Sequence, residues 1–316
     1  MSRVVLIFTF VILTLFAKEL KPEIVIRADG VVEDMLIQDG KIYIATDSSI
    51  VNIFDLKSRK KIEDIRFEKI KDFFGELSDV KIFSVDKEGN RLLFVSQGER
   101  GFSRVYLYEN GKKSLIFDKK DEMAIIKAKF ISKDRVILAL LGSEVKLYDL
   151  KDRKFVYSNQ VSESKFSDFV LSEDRKKMFL TDESGSVKVV DTSNGNVLKI
   201  FEGQNLDNSY QIVYKAHTIV VASKDRRCGV YRDDGSLAYH KMSDFIVYSV
   251  GVSPDGKFGG YASDSKNNIT IFNIFTKENL YRLRGNKSPI SNIEFLDNSR
   301  VITTNRDKIK FWNLTE

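Results

Sequence analysis

Short apolar strands alternate with polar turns from about residue 20 to the end of the chain, and one type of strand recurs at a nearly constant spacing. Its last residues are an aromatic or aliphatic side chain followed mostly by Asp, Glu or Asn. The first residue of that pair is, in chain order, Phe54, Tyr108, Tyr148, Val190, Tyr231, Phe272 and Trp312. The intervals between them are 54, 40, 42, 41, 41 and 40 residues. The pattern therefore predicts seven repeats with a period near 41.

Each repeat has room for four short strands. In the sixth repeat, residues 247–253, 258–263, 269–274 and 280–285 have strand composition and are separated by turn sequences. The first of these turns contains Pro254, Asp255 and Gly256, where proline fixes φ and glycine leaves it free. A constant period near 41 built from four strands is typical of a β-propeller. We predict an all-β, seven-bladed β-propeller.

The last repeat is one strand short. Residues 290–295, 300–304 and 308–314 supply three strands, and the first full repeat begins near Val31. Between the N-terminal apolar segment and Val31, residues 21–29 contain one short strand at Ile24, Val25 and Ile26. We predict that this strand completes the last blade, because pairing the two chain ends removes an exposed sheet edge. Deleting residues 18–29 should then give an aggregating protein.

The seven aromatic–acidic positions resemble the WD40 repeat family over the whole chain after residue 17. The resemblance is degenerate: Trp312 is the only tryptophan, Asn313 follows it, and no repeat has the Gly-His pair of that family. Asp47, Asp182 and Asp264 precede the third strand, where the family has its structural aspartate. Because His217 and His240 are the only histidines, the family's hydrogen-bond network cannot be complete. We expect the blades to be held together mainly by apolar packing.

The N-terminus has the order of residues found in a secretory signal. Arg3 is followed by thirteen uncharged residues, 4–16, and then by the small residue Ala17. A helix of that length rises about 20 Å, which is less than the hydrocarbon core of about 30 Å. We therefore predict a signal peptide over residues 1–17 that is cleaved after Ala17, a propeller domain over residues 18–316, and export to the periplasm without a stable membrane anchor.

Charge and residue types exclude several classes of chemistry. The net charge of +6 is spread along the chain without a basic block, so a nucleic-acid partner is not expected. Cys228 is the only cysteine, and no cluster of His or Cys has the spacing of a metal site. No nucleophile elbow or phosphate-binding glycine loop is present. We predict no catalytic, cofactor or metal residues, although a central funnel could assemble carboxylates from different blades.

One interval departs from the period. The first is 54 residues long, and the excess falls in residues 67–79 and 96–103. In a propeller these two connections emerge on the same face, so blades 1 and 2 should carry an enlarged rim. Its residues are Phe73, Phe74, Phe102, Lys69, Lys71, Glu99 and Arg100. Aromatic residues among cations favour a partner-docking site; the alternative is that Phe73 and Phe74 pack into the blade and cap its core.

At the level of the whole chain, the sequence also resembles the NapL-type accessory proteins of periplasmic nitrate reductase. The shared traits are a short signal, a degenerate propeller of about 300 residues, and few Cys and His. The resemblance implies an exported, non-enzymatic helper of nitrate reductase maturation or electron transfer that has no cofactor of its own. Two alternatives stay open: a lactonase-like propeller hydrolase, and a scaffold for outer-membrane protein assembly.

Overall fold

The computed structural model describes residues 17–315. Residues 1–16 and Glu316 lie outside this range, and with them most of the predicted signal segment. Within the described range, no helix is long and apolar enough to cross a membrane. The chain forms seven sheets of four or five strands and one small hairpin, so the predicted all-β propeller of seven blades is confirmed.

The strands follow one another in the order of the repeats. β1 (Lys18–Leu20) and β2 (Ile24–Arg27) come first. Blade 1 contains β3 (Val32–Gln38), β4 (Lys41–Thr46), β5 (Ile50–Asp55) and β6 (Lys61–Arg66). The hairpin strands β7 (Ile70–Lys71) and β8 (Leu77–Ser78) separate it from blade 2, which contains β9 (Ile82–Glu88), β10 (Arg91–Gln97), β11 (Ser103–Glu109) and β12 (Lys112–Phe117). Two single 3₁₀ turns lie in and after blade 2, at Glu99–Gly101 and Lys119–Asp121.

The next two blades follow the same order. Blade 3 contains β13 (Ile125–Ser132), β14 (Arg135–Leu140), β15 (Glu144–Asp149) and β16 (Lys154–Gln160). Blade 4 contains β17 (Phe166–Leu171), β18 (Lys177–Asp182), β19 (Val187–Asp191) and β20 (Val197–Phe201).

The last three blades complete the ring. Blade 5 contains β21 (Ser209–Lys215), β22 (Thr218–Ser223), β23 (Arg227–Arg232) and β24 (Ala238–Met242). Blade 6 contains β25 (Val250–Val252), β26 (Phe258–Ala262), β27 (Ile269–Asn273) and β28 (Asn279–Leu283). Blade 7 contains β29 (Asn292–Phe295), β30 (Arg300–Asn305) and β31 (Lys308–Asn313).

The N-terminal residues take part in two blades. β2 pairs antiparallel with β31, with Ile24 opposite Phe311, and is the fourth strand of blade 7. β1, which the sequence pattern did not predict, pairs parallel with β28 and is a fifth strand of blade 6. Leu20 is buried there against Leu283, which explains why such a short strand forms. The N-terminal segment thus joins blades 6 and 7.

The hydrophobic core lies between the blades. Seven clusters of buried apolar side chains are present, and each is shared by two neighbouring sheets. The cluster between blades 7 and 1, for example, contains Ile302 and Ile309 from one sheet and Ile42 and Ile44 from the other. Alternate residues of a strand point to opposite faces, so a strand between two such clusters is apolar on both faces. The expectation that apolar packing holds the blades together is confirmed.

The three aspartates singled out by the WD40 resemblance organise the turns before the third strands. Asp47 accepts a hydrogen bond from Val31 N at 2.8 Å. Asp182 is fully buried and pairs with the buried Lys188. Burial alone would raise the pKa of Asp182, but hydrogen bonds from Lys188, Ser162 and Ser184 hold it below its usual value. Lys188 therefore neutralises the charge of Asp182 inside blade 4.

Candidate docking surface and central channel

The connection between blades 1 and 2 forms a hairpin on one face of the ring. β7 and β8 pair through Ile70–Ser78 and Lys71–Leu77, and residues 72–76 form its tip. Asp72 builds the tip, because its Oδ1 accepts hydrogen bonds from Phe74 N at 2.9 Å and Glu76 N at 3.0 Å. Gly75 has a φ of 85°, a conformation that favours glycine. The local sequence thus specifies a tight tip.

The two phenylalanines of the tip point into solvent. Phe73 is 97% exposed and Phe74 is 86% exposed, and their rings contact each other edge to face with centroids 5.6 Å apart. The alternative in which they cap the blade core is wrong. Phe67 and Ile70, each 6% exposed, fill that place instead.

The second long connection lies beside the hairpin. Gln97 N donates to Lys81 O at 2.8 Å, which joins the start of the 96–103 loop to the end of the hairpin segment. Both connections therefore emerge on the same face, as the repeat pattern predicted. Arg100 is exposed with a φ of 59°, and Phe102 is half-buried.

The structure brings the predicted docking residues together only in part. Phe73, Phe74 and Lys71 are exposed on the hairpin. Lys69 is also exposed, and its Nζ lies 3.1 Å from Asp79 Oδ2. Phe102 and Arg100 belong to the neighbouring loop, and the aromatic contacts among the described residues do not include Phe102. Among the predicted docking residues, the exposed aromatic side chains are therefore those of the hairpin.

A cavity of about 570 Å³ lies next to the base of the hairpin. Glu68 is central to it: its carboxylate accepts from Tyr106 Oη at 3.2 Å and pairs with Lys113 Nζ at 3.0 Å. Burial would raise the pKa of Glu68, but the hydrogen bonds and charge of Lys113 lower it. The charges that line this cavity are paired with one another, and we interpret them as support for the hairpin.

The inner strands of the blades surround a central channel that contains charged side chains. Four side chains of this channel accept a backbone N–H from the inner strand of the following blade. They are Asp34 (from Val85 N, 2.9 Å), Asp86 (from Phe130 N, 2.7 Å), Asp168 (from Ile212 N, 3.0 Å) and Gln211 (from Val250 N, 2.9 Å). These bonds satisfy donors that no ladder partner reaches, and they link the blades around the axis.

Three lysines balance the carboxylates of the channel. Lys127 Nζ lies 2.6 Å from Asp168 Oδ1, and Lys129 Nζ lies 3.4 Å from Asp86 Oδ1. Further along the channel, Lys215 Nζ lies 3.7 Å from Glu294 Oε1. Burial lowers the pKa of Lys127, but attraction to Asp168 and Asp34 outweighs it and raises the pKa overall. Lys127 is therefore held in its charged form.

Asp34 differs from Asp86 and Asp168, which form ion pairs with lysines of the channel. Among residues 17–315, no lysine or arginine lies within ion-pair distance of its carboxylate, and burial raises its pKa more than the attraction of Lys127 and Lys129 lowers it. It lines a cavity of about 190 Å³ at one mouth of the channel. This mouth and its carboxylates were not located by the sequence analysis. Asp34, Asp86, Asp168 and Gln211 lie 20 or 22 residues before the aromatic position of their repeats, which is a signal that could have located them.

The described residues contain no group of three or more His, Cys, Asp or Glu side chains that could hold a metal ion. His217 is exposed in the β21–β22 turn with Nδ1 3.0 Å from Asp233, and His240 lies in β24 beside Gln204. Cys228 is buried, and burial raises the pKa of its thiol.

Comparisons with known proteins bear on the fold. No family model and no curated protein sequence matches the chain. Among solved structures, the β-propeller domain of Cps50 (Swd1) from Myceliophteria thermophila superposes with a TM-score of 0.73 at 15% identity. The match covers 92% of this chain and 99% of that domain. The fold is a WD40-like seven-bladed β-propeller. At this identity the likeness shows the fold alone, so the function has to be argued from the surface of this chain.

Proposed function

We propose that this chain is a non-enzymatic protein-interaction module that docks its partner through the hairpin of residues 67–79. The observation that carries the proposal is the exposure of Phe73 and Phe74 at the tip of a hairpin whose base is fixed in the core by Phe67 and Ile70. Adjacent exposed aromatic rings on a rigid support are typical of binding surfaces, because they bury a large apolar area at little cost in conformational entropy.

The neighbouring charges define the chemistry of the partner. Lys71 and Arg100 are exposed on the same face, and Leu77, 68% exposed, extends the apolar surface of the tip. A complementary partner would offer an apolar pocket for the two rings and acidic residues at its border, since opposite charges at the rim of an interface raise the association rate. The occupant that we propose is therefore a folded protein with such an acidic-rimmed pocket.

The test replaces the rings and leaves their support intact. Purified wild-type protein and the variant Phe73→Ser/Phe74→Ser would be used as bait in a periplasmic extract of the source organism, with partners identified by mass spectrometry. Because neither ring belongs to the core, we expect the variant to lose the partner while its melting temperature stays unchanged. Phe275→Ser is the matched control. Phe275 is 54% exposed and lies in the turn between β27 and β28 of blade 6, on the face of the ring opposite the hairpin.

Two outcomes would contradict the proposal. One is a partner that the double variant retains with wild-type affinity. The other is a large fall in melting temperature without a specific loss of binding, which would assign the rings a structural role. Loss of the partner in Phe275→Ser as well would show that the loss is not specific to the hairpin.

The absence of enzymatic activity is part of the proposal. Its support is that Asp86, Asp168 and Glu294 of the channel are paired with lysines, and that two of them also accept backbone N–H groups. Carboxylates bound in this way have the roles of structural groups. One tightly held divalent ion per purified chain, measured by elemental analysis, would instead favour a propeller hydrolase.

The narrower assignment, an exported helper of periplasmic nitrate reductase, rests on the whole-chain resemblance. This assignment makes two separate predictions. The mature protein should begin at Lys18, which N-terminal sequencing of the exported protein would test. The captured partner should be a component of the nitrate reductase system; a partner from the outer-membrane assembly machinery would favour the scaffold alternative.

A further inference from the structure

A groove of about 440 Å³ opens between blades 7 and 1, on the face opposite the hairpin. It exists because β2 is short. β2 pairs with β31 only from Lys308 to Phe311, so the outer edge beside Trp312 is left without a fourth strand. The turns after β3, β5 and β29 form its walls. The size is within the range of about 300–1,000 Å³ that is usual for small-molecule sites.

The groove is apolar on one side. Leu56 and Leu296 are half-buried on its walls, and Phe311 and Trp312 form its floor. Trp312 Nε1 donates to Thr303 Oγ1 at 2.9 Å, so the indole N–H already has a hydrogen-bond partner and needs none from a ligand. The apolar part of a small ligand would therefore bind on this side of the groove.

Arg59 supplies an unmatched cation above this floor. Its guanidinium lies over the Phe311 ring, 5.1 Å from the centroid. Nε is buried and has no hydrogen-bond partner among the residues described. Arg59 also has a φ of 60°, a conformation that side-chain-bearing residues adopt at some cost. The guanidinium also forms no ion pair among the described residues, so an anion in the groove would supply the charge that Arg59 lacks.

Of the cations that line the groove, Arg59 is the one that lies over the apolar floor. Arg300 is paired with Asp297 at 2.7 Å. Asp55 turns into its own loop, where its carboxylate accepts from Ser58 N at 2.6 Å. Glu23 is exposed on the outer lip, and Lys57 is exposed on the same turn as Arg59. An anion that enters the groove would therefore meet Arg59 first, with Lys57 beside it.

We propose that this groove binds a small amphipathic carboxylate, with its apolar body on Leu56, Leu296 and Phe311 and its carboxylate on Arg59. The planar guanidinium suits a carboxylate because it can donate two parallel hydrogen bonds. The site is independent of the hairpin, so its test does not depend on whether a protein partner is found.

The probes are octanoate and octan-1-ol, which share a chain and differ in charge. Calorimetric or ligand-observed NMR titration of the full chain should show saturable binding of octanoate and binding of the alcohol about tenfold weaker. Arg59→Gly should lower the affinity for octanoate to that of the alcohol and leave the affinity for the alcohol unchanged. Glycine tolerates the positive φ, so this variant should fold.

The chain offers a matched control in blade 3. Arg153 occupies the same place in the turn after β15, in the sequence DLKDRK against DLKSRK, and has a φ of 54°, but its side chain is exposed. Arg153→Gly should bind octanoate as the wild type does. The proposal is overturned if wild-type protein does not bind octanoate at millimolar concentration, if acid and alcohol bind equally, or if the two glycine variants behave alike.

Discussion

At the scale of single residues, polar side chains on the inner strands carry out a task that the apolar core cannot. The inner strand of each blade has one edge toward the channel axis, where no further strand can satisfy its N–H groups. Asp34, Asp86, Asp168 and Gln211 each reach the next blade and accept one such bond. Their fixed distance from the aromatic position could have located these residues in the sequence, but the hydrogen bonds that they accept are seen only in the structure.

Asp34 makes the stability of the ring depend on pH. Burial raises its pKa in the folded protein, so the folded state holds this proton more tightly than the unfolded chain does. Its charged form therefore costs stability at pH 7, and the cost disappears below the unfolded pKa of about 3.9. We expect Asp34→Asn, whose Oδ1 can still accept from Val85 N, to raise the free energy of unfolding at pH 7 and to have no such effect near pH 3.

Denaturant titrations of the wild type and Asp34→Asn at several pH values would test this. A conservative comparison is Asp168→Asn, which removes a carboxylate that is paired with Lys127 at 2.6 Å and should destabilise the protein at pH 7. If Asp34→Asn is also destabilising at neutral pH, the attraction of Lys127 and Lys129 to the charged form outweighs the cost of its burial, and our account of its environment is wrong.

At the scale of elements, the N-terminal segment matters more than its length suggests. β1 adds a parallel strand to blade 6, and β2 supplies the outer strand of blade 7. Ile24, Val25 and Ile26 are the apolar residues of the strand that the sequence predicts. In the structure Val25 is 46% exposed and the two isoleucines are half-buried, while Leu20 and Ala28 are each 8% exposed. Part of the apolar contribution thus comes from neighbours of the predicted strand.

Deleting residues 18–29 should produce an aggregating protein. The deletion removes the ladder bonds of both strands, at about 1 kcal/mol net each, and leaves the outer edge of β31 open to other chains. Deleting residues 18–20 alone removes β1 and keeps β2, so this shorter deletion should stay monomeric with a lower melting temperature. Size-exclusion chromatography and thermal unfolding would compare the two. A soluble, equally stable protein lacking residues 18–29 would contradict the role given to β2.

At the scale of the whole molecule, the seven interblade clusters form a closed series. Each sheet contributes one face to the cluster before it and the other face to the cluster after it. No sheet therefore has a complete core of its own. An isolated four-stranded sheet would expose both apolar faces, so we expect the blades to unfold together.

The single tryptophan allows the cooperativity of unfolding to be measured across the ring. Trp312 lies in blade 7, whereas Phe169 is fully buried in the cluster between blades 3 and 4. Phe169→Ala should lower the free energy of unfolding by about 3–5 kcal/mol, as large-to-small core changes do. In urea, Trp312 fluorescence and far-UV circular dichroism should report the same shifted midpoint. If Phe169→Ala leaves the midpoint of Trp312 fluorescence at its wild-type value, the blades unfold separately.

The periodic part of the architecture was predictable, because spacing alone specifies the number of repeats. The aromatic marker strands and the turns between them lie where the period of 41 placed them. The shared face of the two long connections also followed from topology. The exposure of Phe73 and Phe74 did not, because a sequence cannot tell which of several nearby aromatics will fill the core; Phe67 and Ile70 take that place. The groove at Arg59 depends on how far β2 extends, which no local pattern encodes.

The pairing of β2 with β31 also sets an order of events for the newly made chain. Arg27 and Asp307 form an ion pair across 280 positions of sequence, so β2 meets its partner only after nearly all of the chain has been synthesised. Blades 1 to 5 can collapse as they are synthesised, but β2, the outer strand of blade 7, has no partner until β31 has been made. The N-terminal segment must wait unpaired during that time, and a chaperone that shields short extended strands would be well suited to protect it.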